Sequence, residues 1–346
     1  MSFAGTGRPT TVSPAVDSNA MPAPTGTVAH APIDLALLEG HRKELTGYCY
    51  RMLGSAFEAE DAVQETMVRA WKGSDSFEGR AAVRSWLYRI ATNVCLDMLR
   101  GRQRRALSMD MGPANRVDGF NFATLPEHAW VQPVPDSRVV PADGDPAEVA
   151  LARESIRLAF VTALQRLPAR QRAVLILREV LRWQATEVAD LLDTSVAAVN
   201  SALQRARATL AAASAEEGPR AAVDAGQQEL LARYVDAFER YDIDSLVALL
   251  HADAVMSMPP YHFWLKGPAD MAAWLSGAGI GCKGSRLVSV AANGGAAFGS
   301  YRVDPAGGHA PWAIQLIETS GDRIVGHHNF LDTSLFAFFG LPAHLP

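Results

Sequence analysis

At 346 residues, with 49% hydrophobic and 20% charged residues, the chain has the length for two or three globular domains. Its formal net charge of −5 excludes a generally basic nucleic-acid coat, and no apolar run approaches the ~18 residues of a membrane span. Three cysteines, Cys49, Cys95 and Cys282, are too few and too scattered for a disulfide framework or a zinc site, which points to a reducing cytoplasm and no metal or other cofactor.

Residues 1–32 are rich in Ala, Pro, Thr, Ser and Gly without an apolar core, the composition of a disordered tail. Residues 33–105 read as an all-helical module, with breaks at Gly54-Ser55 and Gly73-Ser74-Asp75-Ser76. One of its helices, 59–71, sets Asp61, Gln64, Glu65 and Arg69 opposite Val63, Met67 and Ala70. Acids early in a helix also complement the helix dipole, so a plain solvated face fits as well. From Arg80 to Arg105 there are seven Arg and one acid, Asp97, with Trp86 and Tyr88 interleaved. Arginine beside aromatic rings suits unstacked single-stranded bases; Trp86 reads as core, whereas the Arg-rich end, Arg100 to Arg105, is hard to explain as core and reads as surface.

Residues 106–146 are rich in Pro, Asp and Gly and read as a linker largely without regular structure. The run 125–133 is too apolar for a pure spacer, which suggests docking on a neighbour.

The second helical module, 147–211, contains the most informative stretch, Leu167 to Leu210. A helix at about Thr186 to Leu192 is followed by Asp193-Thr194-Ser195, with turn and N-cap chemistry. In the next helix Val196, Val199, Leu203, Ala206 and Leu210 form one apolar stripe. Asn200, Ser201, Gln204, Arg205 and Arg207 then point away from it. This is the layout of a helix-turn-helix, whose Asn, Gln and Arg can read base edges in a major groove. A hairpin that only packs would share the periodicity. The nine Arg against five acids between 151 and 211 favour phosphate contact.

A short polar joint (212–226) leads to a module of different character at 227–338, with a tail at 339–346. A helix from Glu229 to Leu250 precedes strand-like runs at 254–258, 286–292, 296–303, 312–318 and 323–328, with a second helix at Pro268 to Leu275. Asn293-Gly294-Gly295 and Gly321-Asp322 mark hairpin turns. The pattern predicts an α+β module with a curved antiparallel sheet and helices on one face.

The stretches AEDAVQETMVRAW (59–71), SWLYRIATNVCLDMLRGRQRR (85–105) and LQRLPARQRAVLILREVLRWQATEVADLLDTSVAAVNSALQRARATL (164–210) resemble regions 2 and 4 of the extracytoplasmic-function (ECF) sigma factors, a subgroup of the sigma-70 family. MPPYHFWLKG (258–267) and FLDTSLFAFFGLP (330–342) resemble the SnoaL-like extension of one subgroup. There WVQPVPD (130–136) would correspond to a motif close to W-L-E-P-Y-P-D, with Val131, Gln132 and Val134 departing from it. The resemblance implies a multidomain chain: two all-α modules, then an α+β cone domain like that of the ketosteroid isomerases. It implies a sigma factor, not an enzyme, with core RNA polymerase and promoter DNA as partners. Asp61, Gln64, Glu65 and Arg69 would grip the clamp helices of the largest polymerase subunit. The second module would meet the flap of the second-largest subunit. Arg84, Arg89, Asn93 and Arg100 would lie nearest the −10 strand. Asn200, Ser201, Gln204 and Arg205 would read the −35 element, with Arg182 and Arg207 on phosphates. In the cone domain Asp253, His262, Trp264, Trp274, His328 and Asp332, with His327 and Asn329, are candidates to line a pocket for a small-molecule ligand. A DNA-binding regulator that works without polymerase, and a SnoaL-type enzyme with a DNA-binding appendage, are the alternatives; intramolecular control is the leading reading of the extension.

Overall fold

The structure, a computed structural model, describes residues 35–74, 82–119, 123–141, 145–214 and 225–346, with Gly5 and Phe77 as isolated positions. The expectations for the tail (1–32), for Asp75-Ser76 and for most of the joint (212–226) lie outside the described residues.

After α1 (Leu35–Gly40), α2 (Arg42–Leu53) buries every residue from Leu45 to Leu53. A helix covered on all sides belongs at the centre of a fold. It stops at Gly54, whose left-handed backbone (φ 70°) lets the chain reverse at once. Ser55 caps α3 (Ala56–Gly73), its Oγ accepting the Glu58 N–H at 3.2 Å. α4 (Val83–Leu99) lies, like α3, against α2.

The following segment has few regular elements, three 3₁₀ turns and the single helical turn α5 (Asp136–Val139), yet it is not a spacer. Trp130, Val131, Gln132 and Val134 are all buried. Proline carries no N–H, so such a segment can be buried with few donors to satisfy. Those that remain are paired: the Gln132 N–H donates to Gly54 O at 2.9 Å and the Val131 N–H to Ala106 O at 3.2 Å.

The second module comprises α6 (Pro146–Glu154), α7 (Leu158–Gln165), α8 (Ala169–Leu175) with a π turn at Ile176–Val180, α9 (Ala185–Leu191) and α10 (Val196–Ser214). Val199, Leu203 and Ala206 are buried as the stripe requires, but Val196 is exposed. It is the first residue of α10, and its side chain points back past the helix N-terminus.

The last module begins with two helices where one was expected, α11 (Ala225–Arg240) and α12 (Ile243–Ala248). Tyr241 breaks them with φ 55°, and the Asp242 carboxylate caps α12 by accepting the Ser245 N–H at 3.1 Å. Then come β1 (Leu250–Ser257), β2 (Trp264–Lys266), α13 (Pro268–Ser276), β3 (Arg286–Ala292), β4 (Gly295–Val303), β5 (His309–Ser320), β6 (Arg323–Phe330) and α14 (Ser334–Phe338). Strand order is β2-β1-β6-β5-β4-β3. The sheet is not wholly antiparallel, because β1 and β6 run parallel. Tight turns set the direction of β3 to β6, whereas β1 and β6 are joined only through the rest of the module. β2 spans three residues, too few to show alternation.

One face of the sheet packs under α11 and α13, where Leu230, Tyr234, Phe238, Met271 and Trp274 meet Met256, Phe298 and Ile317. The other face contributes Ala297, Tyr301, Ile314, Leu316 and Phe330 to a single core shared with both helical modules. The sheet is therefore covered on both sides.

Candidate nucleic-acid interface

The second helix of the helix-turn-helix, α10, keeps its polar face open. Asn200, Ser201, Gln204, Arg205 and Arg207 are all exposed, as is Arg182 in the turn before α9. Ser195 starts the helix with its Oγ accepting the Ala198 N–H at 3.2 Å. Arg205 donates only to Ser201 Oγ, at 2.6 Å, and Arg207 to Glu179 at 2.5 Å. Both contacts lie on the surface, so the guanidinium groups can exchange them for phosphates or base edges at little cost.

The open face of α3 is similar. Asp61, Gln64, Glu65 and Arg69 are exposed on one side, tied only by the Arg69–Glu65 ion pair at 2.6 Å.

The basic face of α4 is different. Arg84 donates to Glu44 at 2.8 Å, and its guanidinium lies 5.2 Å from the Tyr88 ring and 5.6 Å from the ring of Trp183, which belongs to the second module. Arg89 donates to the Asp190 carbonyl at the end of α9, at 2.7 Å. The two helical modules thus meet across the residues suited to bind a strand. Arg89 nonetheless stays exposed, as do Asn93 and Arg100, the last paired with Asp97 at 2.9 Å. Arg105 departs from the sequence reading of the basic end as surface. It is buried, with Nη1 on the Trp130 carbonyl at 2.7 Å and Nη2 on Glu58 at 2.7 Å.

One hairpin turn joins all the modules. Asn293, between β3 and β4, is buried with φ 52°. Its Nδ2 donates to Tyr50 Oη at 2.6 Å and to the Ile156 carbonyl at 2.7 Å, while its Oδ1 accepts the Val134 N–H at 3.0 Å. Its own N–H donates to Val134 O at 3.1 Å. The next N–H, of Gly294, donates to Asp136 at 2.8 Å, and a Cβ on Gly294 (φ 69°) would collide with the Arg153 backbone. Tyr50 Oη in turn donates to the Gln132 carbonyl at 2.8 Å. Burial pushes its pKa up, so it remains a neutral hydroxyl. From α2, Arg51 reaches the second module through Ser155 Oγ at 2.6 Å. A second fastening lies on α3: Phe338 of α14 meets the Phe57 ring at 5.1 Å, and Arg138 lies over Phe338 and pairs with Glu60 at 2.7 Å. Sequence reading saw Asn293-Gly294 only as a turn; nothing local marks it as a joint.

Three family models match the chain: Sigma-70 region 2 over residues 37–105, Sigma-70 region 4 over 157–210, and a SnoaL-like domain over 231–327. The ECF RNA polymerase sigma factor SigG of Mycobacterium tuberculosis is 44% identical over 311 residues, 89% of this chain and 83% of SigG. This chain belongs to the ECF RNA polymerase sigma factors. SigJ of the same organism is 30% identical over 228 residues, 65% of this chain and 64% of SigJ. The crystal structure of SigJ shares the fold, with a TM-score of 0.60 at 22% identity, covering 89% of this chain and 100% of that one. The partners of a sigma factor are core RNA polymerase and promoter DNA, and its task is transcription initiation. Relatives of this one are named as sigma factors and not as enzymes.

In the SnoaL-like domain of this sigma factor the six pocket candidates do not converge. Asp253 is exposed and pairs with Lys266 at 3.1 Å. Trp264 turns to the linker, its Nε1 donating to Gly112 O at 3.0 Å, with His262 beside the same glycine. Trp274 is core, stacked 4.6 Å from Phe263. Asp332 is held in its own turn before α14, its carboxylate accepting the Ser334 N–H at 3.0 Å. His328 is buried with Ser257 Oγ 2.9 Å from Nδ1 and Glu318 3.6 Å from Nε2. A Ser–His–Glu set evokes hydrolysis, but neither Ser257 nor His328 has solvent for a substrate to displace. Asn329, the other pocket candidate, is likewise buried, its amide 3.4 Å from Ser257 O. His327 lies among the α11 side chains, 3.1 Å from Tyr234 Oη, which donates to Gln315 at 2.9 Å. Burial, with His328 adjacent, lowers its pKa to about 3, so the ring is neutral. Tyr234, Phe238, Phe263, Trp274 and Phe298 are buried together in the core on the α11 and α13 side of the sheet.

Proposed function

We propose that this sigma factor keeps its −10-reading face closed in the free chain and opens it on joining core polymerase. The observation that carries the reading is the contact of Arg84 and Arg89 with Trp183 and Asp190, which ties the two helical modules together across that face even though Arg89 itself is exposed. Asp61, Gln64, Glu65 and Arg69 form the landing face for the clamp helices of the largest polymerase subunit. Residues 33–105 are the region 2 module and 147–211 the region 4 module, which also meets the flap of the second-largest subunit. Asn200, Ser201, Gln204 and Arg205 read −35 base edges, with Arg182 and Arg207 on phosphates. Once the modules separate, Arg84, Arg89, Asn93 and Arg100 hold the −10 strand. Residues 227–338 act as a brace without catalysis: the Asn293 turn stabilises the closed arrangement from both sides of the 106–146 linker. The filled interior of this domain gives no support to a ligand within it. The working compartment is the cytoplasm, where polymerase is.

Fluorescence anisotropy of a single-stranded −10 oligonucleotide, with the free chain and with the chain bound to core polymerase, tests this. Binding by the complex and weak binding by the free chain are expected. Equal affinity in both, or failure to join core polymerase, refutes it.

A further inference from the structure

At the C-terminal end of α4, the two helical modules leave a cleft of about 310 Å³ between them. That lies at the lower end of the range of about 300–1,000 Å³ seen for small-molecule sites. Its walls hold five arginines, Arg102, Arg104 and Arg105 from region 2 and Arg166 and Arg172 from region 4, against one carboxylate, Glu58. Glu58 already serves Arg102 and Arg105. Arg166 pairs with Asp110. Arg104 is exposed, with no carboxylate partner among the described residues.

Arg172 is the more telling. It is 4% exposed, yet it bonds only to neutral groups, among them Gln165 Oε1 at 2.5 Å and the Leu167 carbonyl at 3.1 Å. Its Nε has no hydrogen-bond partner among the described residues. Burial pulls its pKa down to about 10, the mark of a charge without a counter-ion. Uncompensated buried charge is costly, and an anion in the cleft supplies what Arg172 lacks. The charge is spread over both walls, so one phosphate would not satisfy it, and a cavity of this size admits a small anion but not a duplex.

We propose that this cleft binds a small polyphosphate-bearing anion, either inorganic polyphosphate or a nucleoside triphosphate, bridging regions 2 and 4. Bidentate guanidinium–phosphate pairing gives the site its preference for phosphate. Because the ligand touches both modules, it stabilises the closed arrangement in proportion to its occupancy.

Isothermal titration of the full chain at physiological ionic strength, with inorganic triphosphate, GTP and citrate, tests the proposal. Saturable one-to-one binding of triphosphate, with weaker citrate, is expected; GTP tighter than triphosphate assigns the nucleotide, and equal affinities assign the polyphosphate group alone. Arg104→Glu, at an exposed position, should weaken binding about tenfold or more with the melting temperature unchanged. Arg116→Ala, a surface change outside the cleft lining, should leave affinity unchanged. Hydrogen exchange should slow together at residues 99–105 and 165–172, a readout independent of transcription. No saturable binding in the millimolar range, citrate as tight as triphosphate, equal affinity in Arg104→Glu, or protection only with an oligonucleotide would each overturn it.

Discussion

Replacing Asn293 by alanine should loosen the whole assembly from one position. The side chain makes three buried hydrogen bonds, to Tyr50 Oη, the Ile156 carbonyl and the Val134 N–H. Losing them removes three buried hydrogen bonds, at about 1 kcal/mol each. Alanine at φ 52° adds about 1 kcal/mol, because it keeps the Cβ that crowds the carbonyl in the left-handed region but lacks the short polar side chain that makes this region tolerable to asparagine. The total of about 4 kcal/mol is about a thousandfold in the equilibrium between docked and undocked turn. Asn293→Gly removes the hydrogen bonds without the backbone penalty, so it should cost about 1 kcal/mol less. Tyr50→Phe combined with Asn293→Gly should cost less than the sum of the two, since they share one bond. Hydrogen exchange reads the effect locally. Amides at 130–136 and 292–296 should exchange much faster, while α11 is unchanged. The same variant should need less core polymerase for a given run-off yield. Unchanged exchange at Val134, or equal acceleration throughout α11, would show that the turn is not the fastening.

Arg205→Ala should weaken −35 binding by about 1–3 kcal/mol and relax one base position; Arg205 touches only Ser201, so the melting temperature should not move. An unchanged promoter preference would remove Arg205 from the reading face. Glu65→Lys should reduce affinity for core polymerase with the circular dichroism melt unaltered, and normal co-purification would clear α3 of the role. Acid should destabilise the last domain through His327. Its unfolded pKa is 6.5 and its folded value about 3, so between them the unfolded state binds more protons. Stability is then full above pH 6.5 and falls as pH drops toward 3, by about 2 kcal/mol at pH 5. His327→Gln should flatten that slope in denaturant titrations, and identical slopes in both proteins would contradict the burial argument.

Much of the architecture was legible because helix faces are local. The stripe of Val199, Leu203 and Ala206 and the polar residues between them follow from spacing alone, and the structure keeps that division. The β3–β4 and β5–β6 hairpins followed from short glycine-marked turns. The misreadings share a cause. Arg105 looked like surface charge, and its burial depends on Glu58 and on the carbonyl of Trp130, distant in sequence. The pocket candidates were chosen by residue type, and type does not say which face of a sheet a side chain joins.

By itself the amino-acid order determined the elements, their apolar sides and the open polar faces of α3 and α10. Only the tertiary structure decided that α2 is enclosed along nine successive residues, that the proline-rich segment is core, and that region 4 touches Arg84 and Arg89. Periodicity reports that a face is apolar, and cannot name the surface that buries it. That choice is made by contacts such as Asn293 to Tyr50, across more than two hundred residues, where the total burial of all modules is settled together.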